Sequence, residues 1–211
     1  MADIVQGTDE WFAVRCGKAT ASKIADIIAT TKSGPAASRA NYKAQLIAER
    51  LTGVVAESFT NAAMQWGTEK EPDARAEYAF ARNVDVVEVA FVDHPRIGMT
   101  GASPDGLVDD DGLLEIKCPA TATHLDTLIN GTIPGKYITQ MQWQMACTGR
   151  QWCDFVSFDP RMPPSMRLFI QRVPADPETI KSLEAHVIAF LDEIDRDVAV
   201  LRAKYEMKEA A

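Results

Sequence analysis

Within Ser103-Pro-Asp105-Gly-Leu-Val-Asp-Asp-Asp-Gly-Leu-Leu-Glu115-Ile-Lys117-Cys-Pro119, an aspartate, a glutamate and a lysine are spaced so that one β-hairpin would bring them together. Leu107-Val108 and Leu113-Leu114 are short apolar runs, and Asp109-Asp-Asp-Gly112 between them is turn chemistry. Side chains alternate along a strand, which puts Glu115 and Lys117 on one face and Ile116 on the other. Asp105 then lies across from Glu115 to Lys117. Opposed positions are roughly 5 Å apart at Cβ, so two carboxylates can hold one hard cation between them. That is the chemistry of metal-dependent phosphodiester cleavage. The bland alternative is a common Asp-Gly turn beside a solvated Glu–Lys pair.

The surrounding elements follow from apolar periodicity and from glycine and proline punctuation. Residues 20 to 30 open with capping residues and then repeat apolar side chains at helical spacing, which predicts a helix. A polar, mobile loop is expected over 30 to 38, then a helix over 40 to 52 closed by Gly53. Another helix begins near Asn61 or Thr68 and runs to about Arg82, before the β-branched run Val84 to Val92 reads as a strand. After the hairpin come helices near 121 to 130 and 136 to 148, strands over 152 to 158 and 166 to 173, and a long helix over about 177 to 205. Helices before and after a central group of strands predict a mixed sheet flanked by helices, an α/β or α+β arrangement in a single domain over 1 to 211.

Composition restricts the chemistry further. The chain has 211 residues, 46% of them apolar, enough to bury a core without staples. The four cysteines, Cys16, Cys118, Cys147 and Cys153, form no Cys-x-x-Cys pair and only three histidines are present, which argues against zinc and iron–sulfur sites. No signal-like amino terminus and no long apolar segment appear, so a cytoplasmic protein with reduced thiols and no membrane association is expected. Lysine and arginine number 22 against 30 acids, a net charge of -8. Affinity for nucleic acid needs positive potential, so a nuclease reading requires bound metal and a local basic track. Lys18, Lys23, Lys32, Arg39 and Lys43 are the candidates.

A third carboxylate stands in Trp66-Gly-Thr-Glu-Lys-Glu71-Pro-Asp-Ala-Arg75. Thr68 with Glu71 fits a capping box, with Pro72 in the first turn and Arg75 one turn on. The same Glu71, carried toward the hairpin on a helix, would supply a further metal contact. The residues alone leave both readings open.

The run Gln6-Gly-Thr-Asp-Glu-Trp11-Phe-Ala-Val-Arg15-Cys-Gly17-Lys-Ala-Thr-Ala-Ser22 is followed in order by the Glu71 helix, Ser103-Pro-Asp105-Gly, Glu115-Ile-Lys117-Cys-Pro and Gln140-Met-Gln142-Trp. Together these five motifs, spread over roughly residues 6 to 160, resemble the phage lambda exonuclease family, also called YqaJ-like viral recombinases. That family belongs to the restriction-endonuclease-like PD-(D/E)xK nucleases. The resemblance implies a mixed sheet flanked by helices, two Mg²⁺ sites at which Mn²⁺ can substitute, and degradation of double-stranded DNA from 5′ ends.

Carried over by position, the resemblance makes Glu71, Asp105 and Glu115 metal-binding carboxylates, adds the Ile116 carbonyl, and gives Lys117 the catalytic-lysine place. It makes Arg15, Ser22, Ser103 and Gln140 the candidates for gripping a terminal 5′-phosphate. Their structural alternatives are a surface ion pair for Arg15, a helix cap for Ser22 and a solvated helix position for Gln140. Trp11 and Trp66 are candidates for base stacking, Met64 for a wedge between terminal base pairs and Lys32 for a DNA contact. Core packing is the alternative for the two tryptophans and Met64, and plain solvation for Lys32. The last helix repeats Ile180, Leu183, Val187, Phe190, Ile194, Val198 and Leu201 at steps of three or four, a stripe for its own core or for a neighbour. The family further implies a ring-shaped homotrimer, a single-strand annealing partner and a phage or prophage origin in a bacterial host. The expected activity is therefore 5′-to-3′ digestion that releases mononucleotides and leaves 3′ single strands. Competing readings are another PD-(D/E)xK nuclease, such as an endonuclease or one of different polarity, and a DNA-end-binding module without catalysis.

Overall fold

The computed structural model describes residues 4–32, 34–56 and 61–205. It opens with α1 (Asp9–Arg15), capped by the Thr8 side chain, then β1 (Ala19–Thr20), a 3-10 turn over Ala21–Lys23 and α2 (Ile24–Ile28). The expected polar loop instead holds a small hairpin, β2 (Thr30–Thr31) and β3 (Gly34–Pro35), with Lys32 exposed at its tip and Ser33 outside the described residues. Next come α3 (Ala37–Thr52) and α4 (Ala62–Arg82).

The run Val84 to Val92 is not one strand. It gives β4 (Val86–Val87) and β5 (Val92–Asp93), which join different sheets. β6 (Thr100–Ala102), β7 (Gly106–Val108) and β8 (Gly112–Lys117) follow, then α5 (Thr121–Asn130), α6 (Gly135–Thr148), β9 (Trp152–Phe158), β10 (Leu168–Pro174) and α7 (Pro177–Tyr205). The larger sheet has the order β10-β9-β8-β7-β4, with β8 and β9 parallel and the other neighbours antiparallel. The smaller sheet, β1-β6-β5, is also mixed. The mixed α+β architecture expected from the sequence is thus present.

Both faces of the larger sheet are covered, as a buried parallel pair requires. Leu114, Ile116, Val156 and Phe158 pack toward Ala74 and Tyr78 of α4, whereas Leu113, Cys153 and Phe155 pack with Met141 and Met145 of α6. The α7 stripe is spent internally: Leu183, Val187, Phe190, Ile194 and Val198 join residues of α2, α3 and α6 in one core. Among the described residues no helix is long and apolar enough to cross a membrane.

The β7–β8 hairpin is held at its turn. Asp109 takes a positive φ of 45°, a conformation aspartate tolerates better than most residues. The Arg150 guanidinium donates to the carbonyls of Val108, Asp109 and Gly112. Gly112 must lack a side chain, since a Cβ there would lie 2.1 Å from the Trp152 ring.

The chain crosses directly from one strand of one sheet to a strand of the other at residues 88–91 and at Ser103-Pro-Asp105. Backbone carbonyls at this crossing leave the strand ladders and need other donors. Gln6 Nε2 donates to the carbonyls of Val89 (2.7 Å) and Pro104 (2.9 Å), and Trp11 Nε1 donates to Ala90 O (2.8 Å) and Ser103 Oγ (3.0 Å). Side chains around α1 therefore clamp the corner that leads into Asp105.

Asp159, just past β9, ties down the far end of β8: its carboxylate accepts from Arg161 and Thr121, and Arg161 also donates to Pro119 O. Burial alone would raise the Asp159 carboxyl, but the Arg161 and Thr121 hydrogen bonds outweigh it and hold it at about 2. Its contribution to stability is complete above the unfolded-state value of about 3.9 and is lost as pH falls through the folded value. Asp159→Asn should therefore melt below wild type at neutral pH, with the gap closing below about pH 4. Melting curves across pH test this, and a gap unchanged by acid would contradict it.

Candidate active site

The hairpin register, Gly106↔Leu114 and Val108↔Gly112, continues past the strand as a bond from Asp105 N to Leu114 O (3.1 Å). Asp105 Oδ2 then accepts from Ile116 N at 2.6 Å, which fixes the carboxylate beside β8. Because the N–H and C=O of one strand residue share an edge, the Ile116 carbonyl also lies on the Asp105 side, away from β9. Glu115 has no exposure to solvent. Its Oε1 accepts from Gln140 Nε2 (2.8 Å) and from Lys117 Nζ, and its Oε2 accepts from Gln144 Nε2 (2.6 Å).

Glu71 reaches the site from the interior of α4. That helix starts six residues before Thr68, with Asn61 as its cap, so the capping-box reading of Thr68 and Glu71 is overturned and Pro72 lies mid-helix. The Arg75 pairing does form: Arg75 Nη2 meets Glu71 Oε1 at 2.6 Å, while its Nε donates to Asp105 O (3.0 Å) and its Nη1 pairs with Glu88 (3.1 Å). An open groove of about 450 Å³ runs between α4 and the end of β8, lined by Met64, Thr68, Glu71, Ile116, Lys117 and Tyr137 among others.

The electrostatics are those of acids crowded out of water. Burial and then the neighbouring Glu115 raise the Asp105 carboxyl well above the ordinary range. Burial also raises Glu71, against the opposing pull of Arg75 and Lys117. For Lys117, burial alone would lower the ammonium, but Glu115 and Asp105 outweigh it and raise it. Among the described residues no three histidine, cysteine or carboxylate side chains yet converge tightly enough to enclose an ion; Arg75 holds Glu71, and Lys117 holds Glu115. The candidate donors are three carboxylates and a carbonyl, all oxygen, a set that would suit a hard divalent cation. A cation would also relieve the Asp105–Glu115 repulsion.

The phosphate candidates lie on elements that pack together. The Arg15 guanidinium rests 3.6 Å from the Trp11 ring centroid, and Trp11 in turn bonds Ser103. Among the described residues Arg15 has no ion pair or side-chain hydrogen bond, so the surface-ion-pair alternative falls away. Burial lowers its guanidinium to about 10, against the opposing fields of Tyr42 and Glu49. Ser22 is exposed in the 3-10 turn, which packs on α6, and makes no capping bond there. Gln140 is no freely solvated residue, since it holds Glu115.

Other readings change. Trp11 is half-buried at the sheet crossing and is not in the core, and Met64 is 52% exposed at the groove, so core filling is excluded for it. Trp66 packs partly on the α4-side core beneath Arg161 and Lys70. The basic track largely disappears into ion pairs, Lys18 with Asp93, Lys23 with Asp26, Arg39 with Glu193 and Lys43 with Asp197. Sequence reading missed Gln144, Gln6 and Tyr137. Two glutamines four apart on α6, hence on one face, were the available signal for Gln144. Tyr137 offered none: only the fold shows its ring 5.2 Å from Lys117 Nζ and stacked on Phe155.

Residues 10–151 match the YqaJ-like viral recombinase domain. The chain belongs to that family. A similar solved structure is an alkaline exonuclease (LHK-Exo) from Laribacter hongkongensis, 52% identical with a TM-score of 0.89 over 97% of this chain and 100% of that one. The same exonuclease in complex with dAMP matches equally, at 52% identity and TM-score 0.89 over the same shares. A phage related exonuclease from Haemophilus somnus 129PT, 17% identical over 87% of this chain and 96% of that one, shares the fold at a TM-score of 0.71. Comparison with curated proteins gave no match. In this YqaJ-like chain the family match covers Arg15, Ser22, Glu71, Ser103, Asp105, Glu115, Lys117 and Gln140 alike.

A carboxyl raised on folding costs stability above its unfolded value of about 3.9, and the cost grows with pH. Asp105→Asn, melted in chelator at pH 8, should therefore gain roughly 2–4 °C, the shift that about 1 kcal/mol gives in a domain of this size. The gain should vanish near pH 4. A variant less stable than wild type at pH 8 would remove the crowding argument.

Proposed function

We propose that this chain is a Mg²⁺-dependent 5′-to-3′ exonuclease that degrades one strand from double-stranded DNA ends. It releases 5′-mononucleotides and leaves 3′ single strands for recombination by strand annealing. The observation that carries this reading is the meeting of Asp105, Glu115 and Lys117 on one hairpin with Glu71 across an open groove. The 52% identical alkaline exonuclease supports it.

In this reading Glu71, Asp105, Glu115 and the Ile116 carbonyl hold two Mg²⁺ ions, with Mn²⁺ able to substitute. Cations held there would supply the usual metal chemistry, a lowered pKa for the attacking water and charge to offset the attacking and leaving oxygens. Lys117 stays protonated through neutral pH because Glu115 and Asp105 raise it, so it can orient that water and donate to the phosphate as charge develops. Arg15 supports the phosphate pocket most directly, as a half-buried cation with an aromatic shelf and no acid of its own. Ser22, Ser103 and Gln140 add neutral donors. Each cut leaves a new 5′-phosphate on the shortened strand, so the pocket recreates its own ligand and sets the direction. Met64 at the groove mouth and Lys32 on the β2–β3 hairpin remain the proposed duplex contacts. A homotrimeric ring and a single-strand annealing partner complete the proposal, since an acidic chain whose amino-terminal basic residues are mostly paired needs enclosure to stay on DNA.

A digestion time course on duplex DNA carrying one labelled 5′ end tests activity, polarity and product size together. Labelled mononucleotide should appear first and only with Mg²⁺ or Mn²⁺; internal cuts or 3′ polarity would reject the reading. Arg15→Ala should lose roughly 10- to 100-fold of the preference for 5′-phosphate over 5′-hydroxyl ends, the weight of a charge-assisted hydrogen bond, with little change on hydroxyl ends. Equal loss on both would make Arg15 a structural residue. Light scattering tests the trimer.

A further inference from the structure

Glu115 is the most constrained of the proposed ligands. Its Oε2 is bonded by Gln144 at 2.6 Å, and both residues are fully excluded from solvent. Oε1 instead faces Lys117 and the half-buried Gln140. We infer that Gln144 is a positioning residue, which fixes the Glu115 carboxylate so that Oε1 is the oxygen presented to the cation. This rests on the metal-binding reading above.

The chemistry favours an amide at this place. A carboxylate shut away from water needs a donor on each oxygen, and leaving one unmet is costly. A lysine or arginine in place of Gln144 would neutralise the ligand and compete with the cation, whereas an amide donates without adding charge. The amide is itself held inside, with its carbonyl facing Cys153 Sγ at 4.0 Å and its backbone in α6. Without it, Glu115 is free to turn about its last torsion, and its second oxygen is buried without a partner. Loss of such an outer contact lowers metal affinity by roughly 10- to 100-fold.

The same helix supplies a control. Gln142 is also buried, but its amide donates to Pro174 O (2.8 Å) and accepts from Asp176 N (2.9 Å), away from Glu115. Calorimetric titration of Mn²⁺ into wild type, Gln144→Met and Gln142→Met separates positioning from general core support. Gln144→Met should bind Mn²⁺ roughly tenfold or more weakly. Gln142→Met should keep wild-type affinity even where its melting temperature drops. Gln144→Asn, which keeps an amide but withdraws it by one methylene, should weaken binding in the same direction and serves if the methionine variant does not fold. Wild-type affinity in a folded Gln144 variant, or an equal loss in Gln142→Met, overturns the inference. Failure of both Gln144 variants to fold would make the residue core support and overturn it equally. A wild type that takes up no Mn²⁺ would instead overturn the metal reading, and the inference with it.

Discussion

A fully buried carboxylate on a central strand is the constraint around which this fold is arranged. Glu115 cannot draw on water, so every donor to its oxygens has to come from the protein, and two of them come from one face of α6. That requirement sets how α6 lies against the larger sheet, one turn of amides over β8 and the methionines Met141 and Met145 beside them in the apolar layer. On the opposite face α4 is placed by ordinary packing of Ala74 and Tyr78, and its Glu71 and Arg75 reach around to the same end of β8. The site is thus assembled at a strand end from two helices on opposite faces of one sheet.

Asp105 depends on a second device. It stands where the chain leaves the smaller sheet for the larger, and a crossing of that kind strips backbone carbonyls of their ladder partners. Gln6 and Trp11 replace those partners from outside the sheets. Arg15 then lies on the Trp11 ring, so one tryptophan both fastens the corner before Asp105 and forms the shelf for a cation.

The hairpin was legible because its signals are local: alternation, a run of aspartates and a glycine specify the turn and therefore the face on which Glu115 and Lys117 stand. Helices α3, α5, α6 and α7 were legible for the same reason. The run Val84 to Val92 misled because β-branched content reports strand propensity and says nothing of which sheet each half joins. Its division follows from pairing with β7 and β6, partners distant in sequence. Thr68 with Glu71 and Pro72 imitated a helix start inside a helix, since a cap motif carries no mark of what precedes it. Trp11 showed the limit of reading tryptophan as core: its ring is half-buried and its N–H is committed to the crossing between the sheets. Gln144 was hidden because glutamine is ordinary on helices, and only burial gives its amide a purpose.

Ser103 and Asp105 are two residues apart on the segment that crosses between the sheets. A peptide chain cannot separate their Cα atoms by more than about 7 Å. In the proposed reading the first touches the terminal phosphate and the second stands at the bond to be broken, so the anchors of grip and cut are held within a covalent length. Loop motion, side-chain rearrangement and the base at the end leave that length nearly unchanged. In that reading the backbone itself would act as the ruler, and the size of the fragment removed would be set by the protein and not by the DNA.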